Sequence, residues 1–132
     1  MRELVQTETR QGVHCTLPSG REFEVDVVLV RGHRLFLISC TTDTTLAQCK
    51  SKLFEVAMRA RQLGGDLARS ALVCLIDGTN EKGPLVDQLR HDVAGVWEAP
   101  NTPRVFGAAD LREWAGLHDE PDLRTLRDWL ES

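Results

Sequence analysis

Apolar and polar positions alternate most clearly over residues 22–30, EFEVDVVLV. A period of two puts Phe23, Val25, Val27 and Leu29 on one face, and Glu22, Glu24 and Asp26 on the other, continuing into Val28 and Val30. The spacing predicts a long strand. Arg31-Gly-His-Arg34 then turns the chain, and Leu35 to about Cys40 forms a second strand. A weaker alternation over residues 12–17, GVHCTL, followed by the turn-forming Pro18-Ser-Gly20, makes this pair part of a β-meander.

The period then changes. Leu46, Cys49, Leu53, Val56, Ala57, Ala60 and Leu63 recur at steps of three and four, predicting an amphipathic helix from about Thr45 to Leu63. Residues 42–45, TDTT, offer capping side chains before it, and Gly64-Gly65 stops it. Residues 70–76, SALVCLI, form a continuous apolar run of strand length, the pattern of a strand buried on both faces. Asp77-Gly-Thr-Asn80 turns the chain. A short helix near Pro84–Asp92 follows, then a loop over residues 95–104, a short strand near Val105–Phe106, and two brief helices near Ala109–Ala115 and Pro121–Glu131. The order predicts an α/β fold, a mixed sheet with flanking helices.

Composition bounds the function. A chain of 132 residues, 42% hydrophobic and 27% charged, suits one domain over residues 1–132 with a modest core. The formal net charge of −4 does not announce a nucleic-acid binder. Its distribution is uneven: residues 31–69 hold 7 Lys/Arg against 3 Asp/Glu, and residues 70–132 hold 6 against 12. An anionic partner therefore favours the middle of the chain. The N-terminus lacks the apolar core of a signal peptide, and the apolar runs are too short to span a bilayer, so no membrane partner is expected. Cys15, Cys40, Cys49 and Cys74 form no CxxC pair, which predicts reduced thiols and a cytoplasmic setting. Scattered histidines and cysteines give no zinc-ligand spacing.

The acids on the first strand carry the candidate chemistry. Glu24 and Asp26, two positions apart, aim carboxylates to one side, a geometry suited to a divalent cation with oxygen ligands and through it to a phosphodiester. Asp is disfavoured inside strands, so Asp26 amid valines is the more informative acid, with Glu24 weaker and Glu22 read as a solvated side chain. On the helix, Lys50 and Lys52 flank the apolar stripe on opposite sides, either one able to lean over the sheet edge or simply to snorkel. Arg59 and Arg61 read as a solvated face.

Glu24-x-Asp26-Val-Val-Leu-Val, the basic turn, and Arg34-Leu-Phe-Leu-Ile-Ser-Cys-Thr-Thr42 together resemble the active-site hairpin of PD-(D/E)XK nucleases. The likeness is greatest to the restriction endonuclease-like domain of CRISPR ancillary nucleases that carry a CARF sensor, the Card and Can group. Lys52-Leu-Phe-Glu-Val and the Gly64-Gly65 turn leading into Ser70–Val73 extend it over about residues 20–76. The resemblance implies a role in antiviral defence, DNA or RNA as substrate, Mg²⁺ or Mn²⁺ as cofactor, and a homodimer or a larger defence-system partner. By position it makes Asp26 the metal-binding aspartate, Glu24 the acid before it, and the Cys40 backbone carbonyl a metal-facing group. It places Ser39 where the second metal-binding acid belongs and Thr41 where the lysine belongs. Lys50 or Lys52 is expected to stand in for that lysine, while Asp43 and Glu55 are the only candidates for the lost acid. The family's upstream acid-bearing helix and its sensor domain are not expected within these 132 residues. Two neutral hydroxyls in place of a carboxylate and an ammonium predict impaired catalysis with retained binding of nucleic acid or a partner. The alternatives are an active endonuclease with a rearranged site at Glu24, Asp26 and Lys50 or Lys52, and a structural or interaction subunit.

Overall fold

The computed structural model describes residues 7–16, 19–20, 22–116 and 119–132, with the side chains of residues 7, 8 and 22–24 outside the description. The first three strands form the expected meander: β1 (Thr7–Thr16), β2 (Glu22–Arg31) and β3 (Arg34–Cys40), each antiparallel to the next. Helix α1 (Leu46–Gly64) then carries the chain to β4 (Arg69–Val73), parallel to β3. A two-residue hairpin, β5 (Thr79–Asn80) and β6 (Gly83–Pro84), leads into α2 (Leu85–Val96). Strand β7 (Arg104–Phe106) joins parallel to β4, and α3 (Ala108–Ala115) and α4 (Arg124–Glu131) close the chain. The sheet order is β1-β2-β3-β4-β7, so the architecture is α/β with a mixed five-stranded sheet and helices on both faces.

The predicted periods explain the layers. On one face Leu37, Leu72 and Val105 pack under Cys49, Leu53, Val56 and Ala60 of α1 and Leu89 and Val93 of α2. On the other, Leu29, Phe36, Ala71 and Phe106 pack under Trp129 of α4, with Trp114 of α3 at the margin. Strands β3, β4 and β7 thus present alternate side chains to two different helical layers, which is why their sequences read as unbroken apolar runs. Thr45 caps α1, its Oγ1 accepting from the Gln48 N–H, and Gly65 terminates the helix at φ 66°, ψ −153°. Among the described residues, no helix is long and apolar enough to cross a membrane.

Two expectations need correction. Strand β4 ends at Val73 rather than Ile76, and Leu75 is exposed, because after Val73 the backbone pairs with β7 only through Cys74 N–H to Phe106 O. The second concerns β2. Val25 is buried beneath α1 with Leu37, Leu53 and Val56, whereas Leu29 is buried against Phe36 and Trp129 on the opposite face. Simple alternation would have put both on one side. The break lies at Asp26. Gln11↔Val27 and Val13↔Val25 are paired in unbroken register, but Gly12, the residue between, has φ 56° and makes no ladder pair with Asp26. Glycine tolerates that left-handed backbone, and the pleat of the strand pair slips there without an inserted residue.

Candidate functional site

The slipped pleat determines what Asp26 does. Beyond Val27↔Ile38, β2 and β3 are no longer paired along the ladder. The Asp26 carboxylate fills the gap: Oδ2 accepts the Cys40 backbone N–H at 2.6 Å and the Ser39 hydroxyl at 3.4 Å. A side chain thus takes over an acceptor role that a strand carbonyl would otherwise serve. Oδ1 accepts no hydrogen bond among the described residues.

Asp26 opens onto a cleft of about 330 Å³. Val25 and Val56 supply its apolar lining, and Asp26, Ser39 and Cys40 line it from the strands. Lys52, Glu55 and Arg59 reach it from α1. Those three lie at i, i+3 and i+7 and share one helix face beside the buried stripe. The cleft therefore gathers two carboxylates and two cations around a small apolar floor. Arg59 Nη1 also donates to Gln62 Oε1 at 3.1 Å.

The loop between β3 and α1 ties the predicted residues into one network. Thr41 Oγ1 donates to Asp43 Oδ2 at 2.8 Å, and the Asp43 N–H donates back to Thr41 Oγ1 at 3.1 Å. The same Asp43 oxygen faces Lys52 Nζ at 3.5 Å. Lys52, half exposed, is thereby held between the loop and the cleft. The structure separates the two lysines that spacing left equivalent. Lys50 turns away to α2, 2.9 Å from Asp92, whose carboxyl lies below the usual range because Lys50 donates to it. Lys52 lines the cleft and Lys50 does not.

The expected partner acid, Glu24, has its backbone paired with His14; its side chain lies outside the described residues. Cys40 presents its N–H to Asp26. Cys40 as a residue is exposed. Partial burial and the Asp26 charge both push the thiol upward, so it stays protonated at neutral pH. Among the described residues, no group of three or more His, Cys, Asp or Glu is placed to hold a metal ion. A divalent cation would find one strand carboxylate, Asp26, and one helix carboxylate, Glu55, along the cleft.

Arg59 was read as a solvated residue, yet it lines the cleft. Its spacing from Lys52, seven residues or two turns, was the available signal. Gly12 inside a strand pattern was the signal for the pleat slip, since an isolated strand glycine marks a bulge or distortion.

Comparison with family models gives no match, and no curated protein matches the chain. Among solved structures, the chain is similar to protein VC1899 from Vibrio cholerae, with a TM-score of 0.53 and 23% identity. The match covers 79% of this chain and 25% of that one, so the chain spans about a quarter of that protein's length. A likeness at that identity shows the shared α/β fold.

Proposed function

We propose that the chain is a nuclease-like domain of PD-(D/E)XK type whose cleft binds the phosphodiester backbone of DNA or RNA and hydrolyses it poorly. One observation carries this proposal: the Ser39 hydroxyl is hydrogen-bonded to Asp26 at the end of the hairpin, in the place where a second strand carboxylate is expected. On this reading the hairpin would set two acids side by side, and one of them is replaced by a neutral hydroxyl that meets Asp26.

The physical consequences are direct. A hard divalent cation such as Mg²⁺ or Mn²⁺ prefers several oxygen ligands and keeps its waters when the protein supplies few. Asp26, with Glu24 and the Cys40 carbonyl as the remaining proposed ligands, offers less negative charge than two facing strand acids, so the cation is held weakly. When bound, such a cation polarises the phosphate and lowers the pKa of the attacking water. Lys52 brings a positive charge to the cleft wall, restrained by Asp43, and suits a phosphate oxygen as a point charge. Thr41, at the expected lysine position, is occupied with Asp43 instead.

A second proposal, an active nuclease with a rearranged site, draws on the position of Glu55, which lines the same cleft as Asp26 and Lys52. Glu55 would then replace the missing acid from the helix side.

The test is a binding and cleavage assay on labelled single- and double-stranded DNA and RNA with Mg²⁺ or Mn²⁺. Wild type is expected to bind and to cleave slowly, at a rate that Asp26→Ala lowers and Glu55→Gln leaves unchanged. Lys52→Ala is expected to weaken binding and lower the slope of log affinity against log salt by about one. Cleavage abolished by both Asp26→Ala and Glu55→Gln would overturn the first proposal in favour of the second. Absence of binding to every nucleic acid overturns both.

A further inference from the structure

The end of the sheet away from the cleft carries a second concentration of charge. Arg31 and Arg34 flank the tight turn between β2 and β3 and face each other as a cross-strand pair. Arg69 opens β4 one strand over, level with Phe36. Three guanidinium groups therefore crowd one sheet end, with His33 in the turn beside them. Along the strands, Arg31 and Arg34 lie roughly 16 Å from Asp26 and Ser39, and Arg69, level with Phe36, roughly 10 Å from the level of Ser39.

Their partners are carbonyls. Arg31 Nη1 donates to Leu130 O at 3.0 Å, and Arg69 donates to Leu67 O at 3.2 Å and to Ser132 O at 3.5 Å. Arg34 makes no side-chain hydrogen bond among the described residues. None of the three is ion-paired with a side-chain carboxylate among the described residues, although Glu131 shares a groove with Arg31 and Arg127. Elsewhere six cations are ion-paired, Lys50, Lys52, Arg61, Arg90, Arg112 and Arg124, while Arg10, Lys82, Arg104 and Arg127 are scattered singly without an ion pair among the described residues.

A carbonyl satisfies an N–H without cancelling its charge, so Arg31 keeps its positive charge beside Arg34 and Arg69 at this sheet end. Burial and then the Arg34 charge both work against the Arg69 guanidinium, pulling its pKa down. Two guanidiniums close enough to repel each other are stabilised by an anion bound to both, and their planar forks match a tetrahedral oxyanion in a bidentate way.

We propose that Arg34 and Arg69 form an oxyanion site that takes a phosphoryl group, either as free phosphate or as part of a nucleic-acid backbone. The site is separate from the cleft and does not depend on its function.

Inorganic pyrophosphate at matched ionic strength is the probe. It is expected to raise the melting temperature of the wild type in a concentration-dependent way. Arg34→Gln and Arg69→Gln are each expected to weaken that apparent affinity at least about tenfold, with Lys82→Gln, outside both the cleft and this cluster, leaving it unchanged. Arg34 makes no fold contact through a hydrogen bond, so Arg34→Gln keeps the test valid should Arg69→Gln fail to fold. The same Tm rise in Arg34→Gln as in wild type, or no rise in wild type, overturns the proposal. A labelled single-stranded oligonucleotide separates the two sources. Weaker binding by Arg34→Gln, with displacement by pyrophosphate, assigns the phosphoryl group to nucleic acid; unchanged oligonucleotide binding assigns it to free phosphate. Loss of oligonucleotide binding in Lys52→Gln alone bears on the cleft and leaves this site standing.

Discussion

Asp26 satisfies the end of the hairpin through one oxygen and leaves the other facing the cleft. That division predicts the behaviour of a restored site. Ser39→Glu with Thr41→Lys would bring a second carboxylate beside Asp26, and two close carboxylates repel unless a cation lies between them. The double variant is expected to melt below wild type in chelator and to gain more from Mn²⁺ than wild type does. Equal Mn²⁺ responses would sink the idea that Ser39 occupies the place of a metal ligand. Asp26 stood out in the sequence because an Asp among valines opposes strand propensity. Its orientation did not, because that depends on Gly12, fourteen residues away and on the neighbouring strand. A period of two read along β2 alone cannot register a distortion imposed from β1.

Helix α1 was legible from cap to stop, and its details explain why. Thr45 and Gly65 act locally, so their signals are in the immediate sequence. Gly65 adopts a backbone conformation essentially closed to other residues, so Gly65→Ala is expected to lower unfolding free energy by about 1–3 kcal/mol, read by urea denaturation. An unchanged midpoint would contradict the assigned helix end. Gly64 is constrained differently: a Cβ there would lie 2.9 Å from the Cβ of Ala68. The choice between Lys50 and Lys52 was beyond helical spacing, since it depends on where α2 packs and on Asp92 reaching Lys50.

The buried stripe of α1 also makes a pH prediction. Burial, then the neighbouring Cys74 thiol, pushes Cys49 up to about 12 from an ordinary value of 9.0. A raised native pKa means stabilisation fully present below the unfolded value and lost as pH rises from about 9 toward 12. At pH 8 the folded chain is expected to lose Cys40 to iodoacetamide well before Cys49, followed by peptide mass spectrometry. Parallel labelling in the folded state would show that α1 does not seal Cys49.

For the molecule as a whole, the element order was readable because the two periods alternate cleanly along the chain and the apolar run in β4 demanded cover on both faces. Which helices cover which face was not readable. Short helices such as α3 and α4 carry too few turns to declare a partner, and the second layer depends on Trp129 meeting Phe36 at 5.2 Å and Phe106 at 5.7 Å. Trp129→Ala is expected to cost about 3–5 kcal/mol, the range for truncating a large buried aromatic, measured by denaturant unfolding. A loss below about 1 kcal/mol would mean that α4 does not seal that face.

The aromatic layer also makes this protein an instrument for observing itself. The chain has three tryptophans and no tyrosine, and two of the three, Trp114 and Trp129, belong to the layer behind the sheet. The third, Trp97, closes α2, and no tryptophan lines the cleft. Ultraviolet emission therefore watches the back of the molecule. A ligand that fills the cleft by itself leaves the Trp114 and Trp129 signal dark to its arrival. One that lands on the arginines tethering the end of α4 lies next to the layer that holds Trp129.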